Sequence, residues 1–152
     1  MTRLTKTIVA PLLSMLAAPA LTVQAAAPPG RYTASSGTVL DTKTRLVWQQ
    51  PFAPSSMTWA AAKSYCAGLG ATLAGTGWRL PTIKELQTLV DVSVATGPSI
   101  DPTFFPNGGP GSFWSSTPST ADTTAVWVLS FNASVGEGQV GMSGNGSVRC
   151  VR

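Results

Sequence analysis

Histidine is absent from this chain of 152 residues, and that absence narrows its chemistry at once. No Ser-His or Cys-His nucleophile can be assembled, and the commonest metal-binding side chain is missing. Acidic residues are scarce too: the six are Asp41, Glu85, Asp91, Asp101, Asp122 and Glu137. Hydrolysis by a carboxylate pair needs two acids facing one cleft. Glu85 belongs to a helix start, Asp41 and Asp101 to turns, Asp91 to a helix end, and Asp122 and Glu137 to loops. A hydrolase is therefore the weakest functional reading. Lysine and arginine nowhere cluster, so nothing marks a nucleic-acid surface. The sequence assigns no catalytic residue, no metal ligand and no cofactor.

Cysteine occurs only twice, at Cys66 and Cys150. Residues 1–25 read as a secretory signal peptide. Arg3 and Lys6 supply the positive start, Ile8 to Leu21 the apolar run, and Val23-Gln24-Ala25 the small-residue cleavage site. Pro11 and Pro19 interrupt the run, which is too short to cross a bilayer comfortably. A retained anchor is the alternative. An exported product follows, secreted, periplasmic or at the cell surface, with no membrane span after removal of the signal. Cleavage takes away two basic residues and leaves eight against six acidic ones. An even pair of cysteines in an exported chain predicts a disulfide. Free or catalytic thiols are the alternative, weakened by the lack of a histidine to activate either one.

The clearest folding signal that is present lies between Gly77 and Asp91. Pro81 pushes Leu80 out of the α region and closes an extended approach, along which Trp78 and Leu80 alternate with Arg79. Thr82 stands three residues before Glu85. At that spacing the hydroxyl caps the Glu85 amide while the carboxylate reaches back to the Thr82 amide. Ile83, Leu86, Leu89 and Val90 follow as one apolar helical stripe. Arg79 reads as the structural partner of Glu85 or Asp91 in preference to an anion clamp.

Upstream, residues 26–37 read as a flexible lead-in. Thr38–Leu40 and Leu46–Trp48 are β-prone runs around a turn at Asp41–Thr44, and predict a hairpin. Thr58 caps a first helix carrying Trp59, Ala62, Cys66 and Leu69 at helical spacing, with Gly68 or Gly70 as its end. Downstream, 92–111 is a long loop pinned by Phe104 and Phe105. Strands follow at Phe113–Thr117, Ala125–Phe131, Gln139–Met142 and Ser147–Val151. The outcome is one α+β domain over 38–152, with two helices packed on antiparallel sheet.

These marks form an ordered set: Asp41-Thr42-Lys43-Thr44, Leu46-Val47-Trp48, Thr58-Trp59 with Ala62 and Cys66, Gly77-Trp78-Arg79-Leu80-Pro81-Thr82 with Glu85-Leu86, Phe113-Trp114-Ser115-Ser116, Ala125-Val126-Trp127, and the terminal Val148-Arg149-Cys150-Val151-Arg152. The set resembles the Lcl C-terminal domain family, a bacterial domain of unknown function at the C-terminus of the Legionella collagen-like adhesin, over about residues 36 to 152. The resemblance implies a C-type lectin-like fold, in which a disulfide ties the first helix to the last strand, as Cys66 and Cys150 would here. It also implies a scaffold for ligand-binding loops; the adhesin itself binds glycosaminoglycans. The Glu-Pro-Asn and Trp-Asn-Asp motifs of the lectin calcium site are absent. The sulfatase-activating oxidases of similar fold need paired active-site cysteines, which the disulfide would consume here. Arg45 stands where the family's turn usually has a glycine.

The reading that follows is an exported, non-catalytic binding or adhesion module for an extracellular polysaccharide or a surface protein. A structural component of an envelope or appendage is the alternative. Binding residues concentrate on loops carried by a rigid scaffold. Asn107, Ser112 and Asn145 are accordingly the candidate contacts, with Trp48 beside its proline-rich loop as the expected exposed ring. Trp59, Trp78, Trp114 and Trp127 fall in apolar patterns and are assigned to the core. Lys43 and Arg45 on the hairpin turn are the rival contact, suited to an anionic ligand.

Overall fold

The computed structural model describes residues 27–93, 98–106, 108–109, 111–132 and 136–152. The predicted leader lies outside them. Among the described residues, two antiparallel three-stranded sheets and two α-helices make an α+β architecture. The first sheet has the order β1 (Tyr32–Ser35), β2 (Thr38–Asp41), β3 (Val47–Gln49). Its first strand is a correction, since 26–37 reads as a lead-in from sequence alone. Tyr32 is buried against Phe104 and Phe105, and Arg31 pairs with buried Asp41 at 3.1 Å. A short polar segment is thereby fixed by long-range contacts that its own composition does not announce. The β2–β3 turn is held by Asp41, whose Oδ1 accepts the amides of Lys43 at 2.9 Å and Thr44 at 3.4 Å. Arg45 sits at φ 65°, in the left-handed region where a glycine would rest without strain.

Helix α1 (Trp59–Gly68) starts at Thr58, whose hydroxyl accepts the Ala61 amide. Neither Gly68 nor Gly70 stops it in a left-handed turn; it tightens instead into a 3-10 turn over Leu69–Ala71. Ala62 and Cys66 face the core. Helix α2 spans only Ile83–Gln87 and does not reach Asp91. The amides of Thr88, Leu89 and Val90 bond three residues back, to Glu85, Leu86 and Gln87, and the Thr88 hydroxyl also donates to the Glu85 carbonyl at 2.7 Å. Arg31 donates to the carbonyl of Thr88. These bonds satisfy the last carbonyls and end the helix early. The apolar stripe survives the shortening, with Ile83, Leu86 and Leu89 all buried.

The start of α2 forms the full reciprocal cap. The Thr82 hydroxyl accepts the Glu85 amide at 3.2 Å, and Glu85 Oε2 accepts the Thr82 amide at 2.7 Å. Arg79 grips the same carboxylate in a two-point pair, Nη1 to Oε2 at 2.8 Å and Nη2 to Oε1 at 2.7 Å. The Arg79 hydrogen bond holds Glu85 below the usual carboxylate range.

The second sheet is β4 (Ser112–Pro118), β5 (Ala125–Ser130), β6 (Gly136–Gly141), in that order. β6 opens at Gly136, where a turn is expected from the glycines. The terminal stretch 147–151 is no continuous strand. Ser147 bridges to Phe113, the Ala53 amide bonds to Val148, and Val151 bridges both Trp48 and Arg79. Its partner changes every few residues, so no ladder builds up. Cys66 and Cys150, both fully buried, form the disulfide that ties α1 to this segment. Arg149, also fully buried, lies over the rings of Phe105 at 4.9 Å and Phe113 at 5.6 Å. Its Nη1 donates to the carbonyls of Gln49, at 3.0 Å, and Gln50. Burial lowers its pKa to about 9, so the guanidinium stays charged at neutral pH.

Two outcomes are expected around α2. Thr82→Ala should cost about 1 kcal/mol of stability, the usual loss for an N-cap, read from the urea midpoint. The Glu85 carboxylate is favoured in the folded state, so its contribution is present above the unfolded pKa of 4.5 and fades as pH falls through the lower folded value. Urea midpoints of the wild type and Glu85→Gln should therefore differ at pH 7 and converge in acid. A gap that stays constant with pH would mean that the charge contributes nothing.

Candidate functional site

Gly146 fixes the position of a hollow that joins two residues singled out from sequence. A Cβ at Gly146 would lie 2.8 Å from Trp114 Cε2 and Nε1, so only a glycine lets this backbone rest on the indole. The Trp114 ring is itself fully buried and donates through Nε1 to the Met57 carbonyl at 2.7 Å. Met57 and Gly146 exchange backbone bonds at 3.0 and 3.1 Å, and the Ser147 amide donates to the Ser112 carbonyl at 2.9 Å. Three chain regions are thus locked together: the end of the 50–57 loop, the start of β4, and the 143–147 turn.

Between them lies a hollow of about 290 Å³, lined by Ser56, Gly111, Ser112, Asn145, Gly146 and Ser147. Ser112 and Asn145 meet here. Asn145 is exposed at the rim, Ser112 is half-buried, and none of the lining residues carries a charge. Hydroxyls, a carboxamide and backbone groups can exchange hydrogen bonds with a neutral polar ligand; they cannot neutralise an anion.

The other candidates lie elsewhere. Lys43 and Arg45 are exposed on the β2–β3 turn and line no part of this hollow. Asn107 lies outside the described residues. Trp48 is corrected: its ring is fully buried in the core with Val39 and Val151 and offers no surface for stacking. On β3, the last strand of the first sheet, it bridges to the terminal segment, and the proline-rich loop that follows does not uncover it. Trp78 and Trp114 are core residues, whereas Trp59 and Trp127 are only half-buried. Trp59 donates through Nε1 to the Ser115 carbonyl, and Lys63 sits 3.8 Å from its ring centre. Ser56, Gly111 and Gly146 were not legible as site residues. Their only sequence signal is membership of polar, glycine-rich loops, which does not say which loops meet.

A second cavity, of about 250 Å³, holds Arg31, Tyr32, Asp91 and Asp101. Its carboxylates serve the backbone. Asp101 accepts the amides of Ala27 at 2.6 Å and Thr103 at 2.8 Å, and Asp91 Oδ1 accepts from the amide and hydroxyl of Ser93. Burial raises the Tyr32 pKa to about 12, so its phenol is neutral at physiological pH. Among the described residues, no group of three or more Cys, Asp or Glu side chains is placed to hold a metal ion.

The model of the Lcl C-terminal domain matches residues 37–152, and the chain belongs to that family. No curated protein matches the chain.

The contact between Gly146 and Trp114 can be tested by stability alone. Gly146→Ala should destabilise the domain by about 1–3 kcal/mol, the range for overpacking a full core. Gly141→Ala, which meets nothing within 4 Å, should change stability by less than about 0.5 kcal/mol. Equal urea midpoints for the two variants would contradict the close approach.

Proposed function

We propose that this family member is an exported, non-catalytic binding module on a C-type lectin-like scaffold. Its ligand is a neutral polysaccharide or a protein surface, met at the Ser56–Ser112–Asn145 hollow. The observation that carries the reading is the convergence of Ser112 and Asn145, distant in the chain, on one uncharged depression. Membership of an adhesin-associated family and a buried disulfide support the export of the domain. A sulfated polymer would call for clustered Lys and Arg, which the hollow lacks. The second reading is a structural component of an envelope or appendage. Such a part buries a broad apolar patch, whereas Val92 is the one large hydrophobic side chain exposed among the described residues.

The test is a glycan and surface-polymer array probed with the exported protein. Ser112→Ala combined with Asn145→Ala should weaken binding of the glycan it selects by about tenfold, as for two lost hydrogen bonds of modest net strength. Lys43→Ser with Arg45→Ser should leave that binding unchanged. The opposite pattern would move the site to the β2–β3 turn and make the ligand an anion.

A further inference from the structure

Among the described residues, β6 is an edge strand that no further strand covers. It follows β5 in unbroken register from Ala125↔Gly141 to Ser130↔Gly136, without a bulge. It contains no proline and no lysine, and Glu137 is its single charged side chain. The Met142 amide donates to the Thr124 carbonyl at 2.9 Å. By alternation, the amides and carbonyls of Gly138 and Val140 face β5, and those of Glu137 and Gln139 face away from the sheet. Among the described residues, no backbone bond reaches Glu137 or Gln139 from that side.

An apolar groove of about 400 Å³ lies beside the start of this edge, lined by Gln87, Val90, Val92, Leu129, Gly136 and Glu137. Val92 is 91% exposed in its wall. Glu137 is the one charged residue of the lining and of β6, and it is exposed and without an ion pair among the described residues. The two features define one occupant. We infer that β6 docks an extended segment of a protein partner, which adds a strand at Glu137–Gln139. A basic side chain of that segment faces Glu137, and an apolar one enters the groove against Val92 and Leu129. Main-chain bonds supply the affinity in such strand addition, and the groove and the charge supply the selectivity. The site shares no residue with the Ser112–Asn145 hollow, and the inference does not rest on the function proposed there.

The probe is an array of short synthetic peptides alternating valine with threonine, with one lysine or one glutamate placed at each position in turn. Lysine members should bind, and the matching glutamate members should bind at least about tenfold more weakly. Gln139→Pro removes an outward amide and leaves the β5-facing backbone bonds of its neighbours in place; it should lower peptide binding by about tenfold. Gln139→Ala, which loses the same side-chain bond from Ser119 but keeps the amide, should not. Val92→Lys, at an exposed position that the fold does not use, should lower it by about fivefold and reverse part of the preference for lysine. Backbone amide shifts on peptide addition should centre on 136–141 and 90–92. No binding by any member, equal binding of lysine and glutamate members, or binding unchanged in both Gln139→Pro and Val92→Lys would each overturn the proposal. Self-association that Gln139→Pro abolishes, without peptide binding, would overturn it in favour of a second copy at the edge.

Discussion

Both sheets and both helices of this domain have a link to its last seven residues. Gly146 holds Met57, Ser147 bridges β4, and Val148 and Cys150 receive the amides of Ala53 and Gln49. Val151 joins β3 to the approach of α2. Cys150 adds the one covalent link, to α1, closing a loop with a sequence separation of 84. A crosslink over such a span strongly limits the unfolded chain, by roughly 4.5 kcal/mol in the loop-entropy view. The first three strands and the last three share no ladder, and among the described residues the bridges of this segment to β3 and β4 link the two sheets.

Arg149 sits at the centre of that segment and explains how a buried cation can serve packing. It has no carboxylate partner among the described residues; two aromatic faces and two carbonyls surround it instead. A buried charge is costly unless compensated, and cation–π contact with desolvated rings provides part of the compensation. In return the side chain joins β3 to Phe105 of the 98–106 loop and to Phe113 of β4. The pinning that Phe104 and Phe105 suggest from sequence is real for Phe105, which is fully buried. The arginine beneath it carries no such signal, because an isolated basic residue near a terminus usually reads as solvated.

Legibility followed the range of the interaction. The reciprocal cap at Thr82 and Glu85 depends on three residues of separation, and it is present as read. The Thr58 cap, the pairing of the cysteines and strands β2 to β5 were legible for the same reason: local spacing, or a choice with only one partner. β1 was missed because Tyr32 is held by Phe104 and Phe105, far along the chain. Trp48 was misplaced because a neighbouring proline-rich loop says nothing about what covers the ring from the terminal segment. The candidate site was half legible. Ser112 and Asn145 could be chosen as polar loop residues, but their meeting depends on the bridges between Met57 and Gly146 and between Phe113 and Ser147.

Those bridges also decide what kind of site the hollow can be. Loop residues that contact a ligand usually lose freedom on binding, and that loss opposes affinity. Here Gly146 rests on a buried indole, the Ser112 carbonyl accepts the Ser147 amide at 2.9 Å, and the turn that ends just before Asn145 is closed by a Gly144–Gly141 bond at 2.9 Å. The backbone that carries the polar groups is held before any ligand arrives. A neutral sugar or peptide amide offers no charge to offset an ordering cost, so a surface without charges binds it usefully only when that cost is small. Burying Trp114 beneath the hollow meets that requirement: the aromatic ring anchors the frame, and the hydroxyls and amide above it remain for contact.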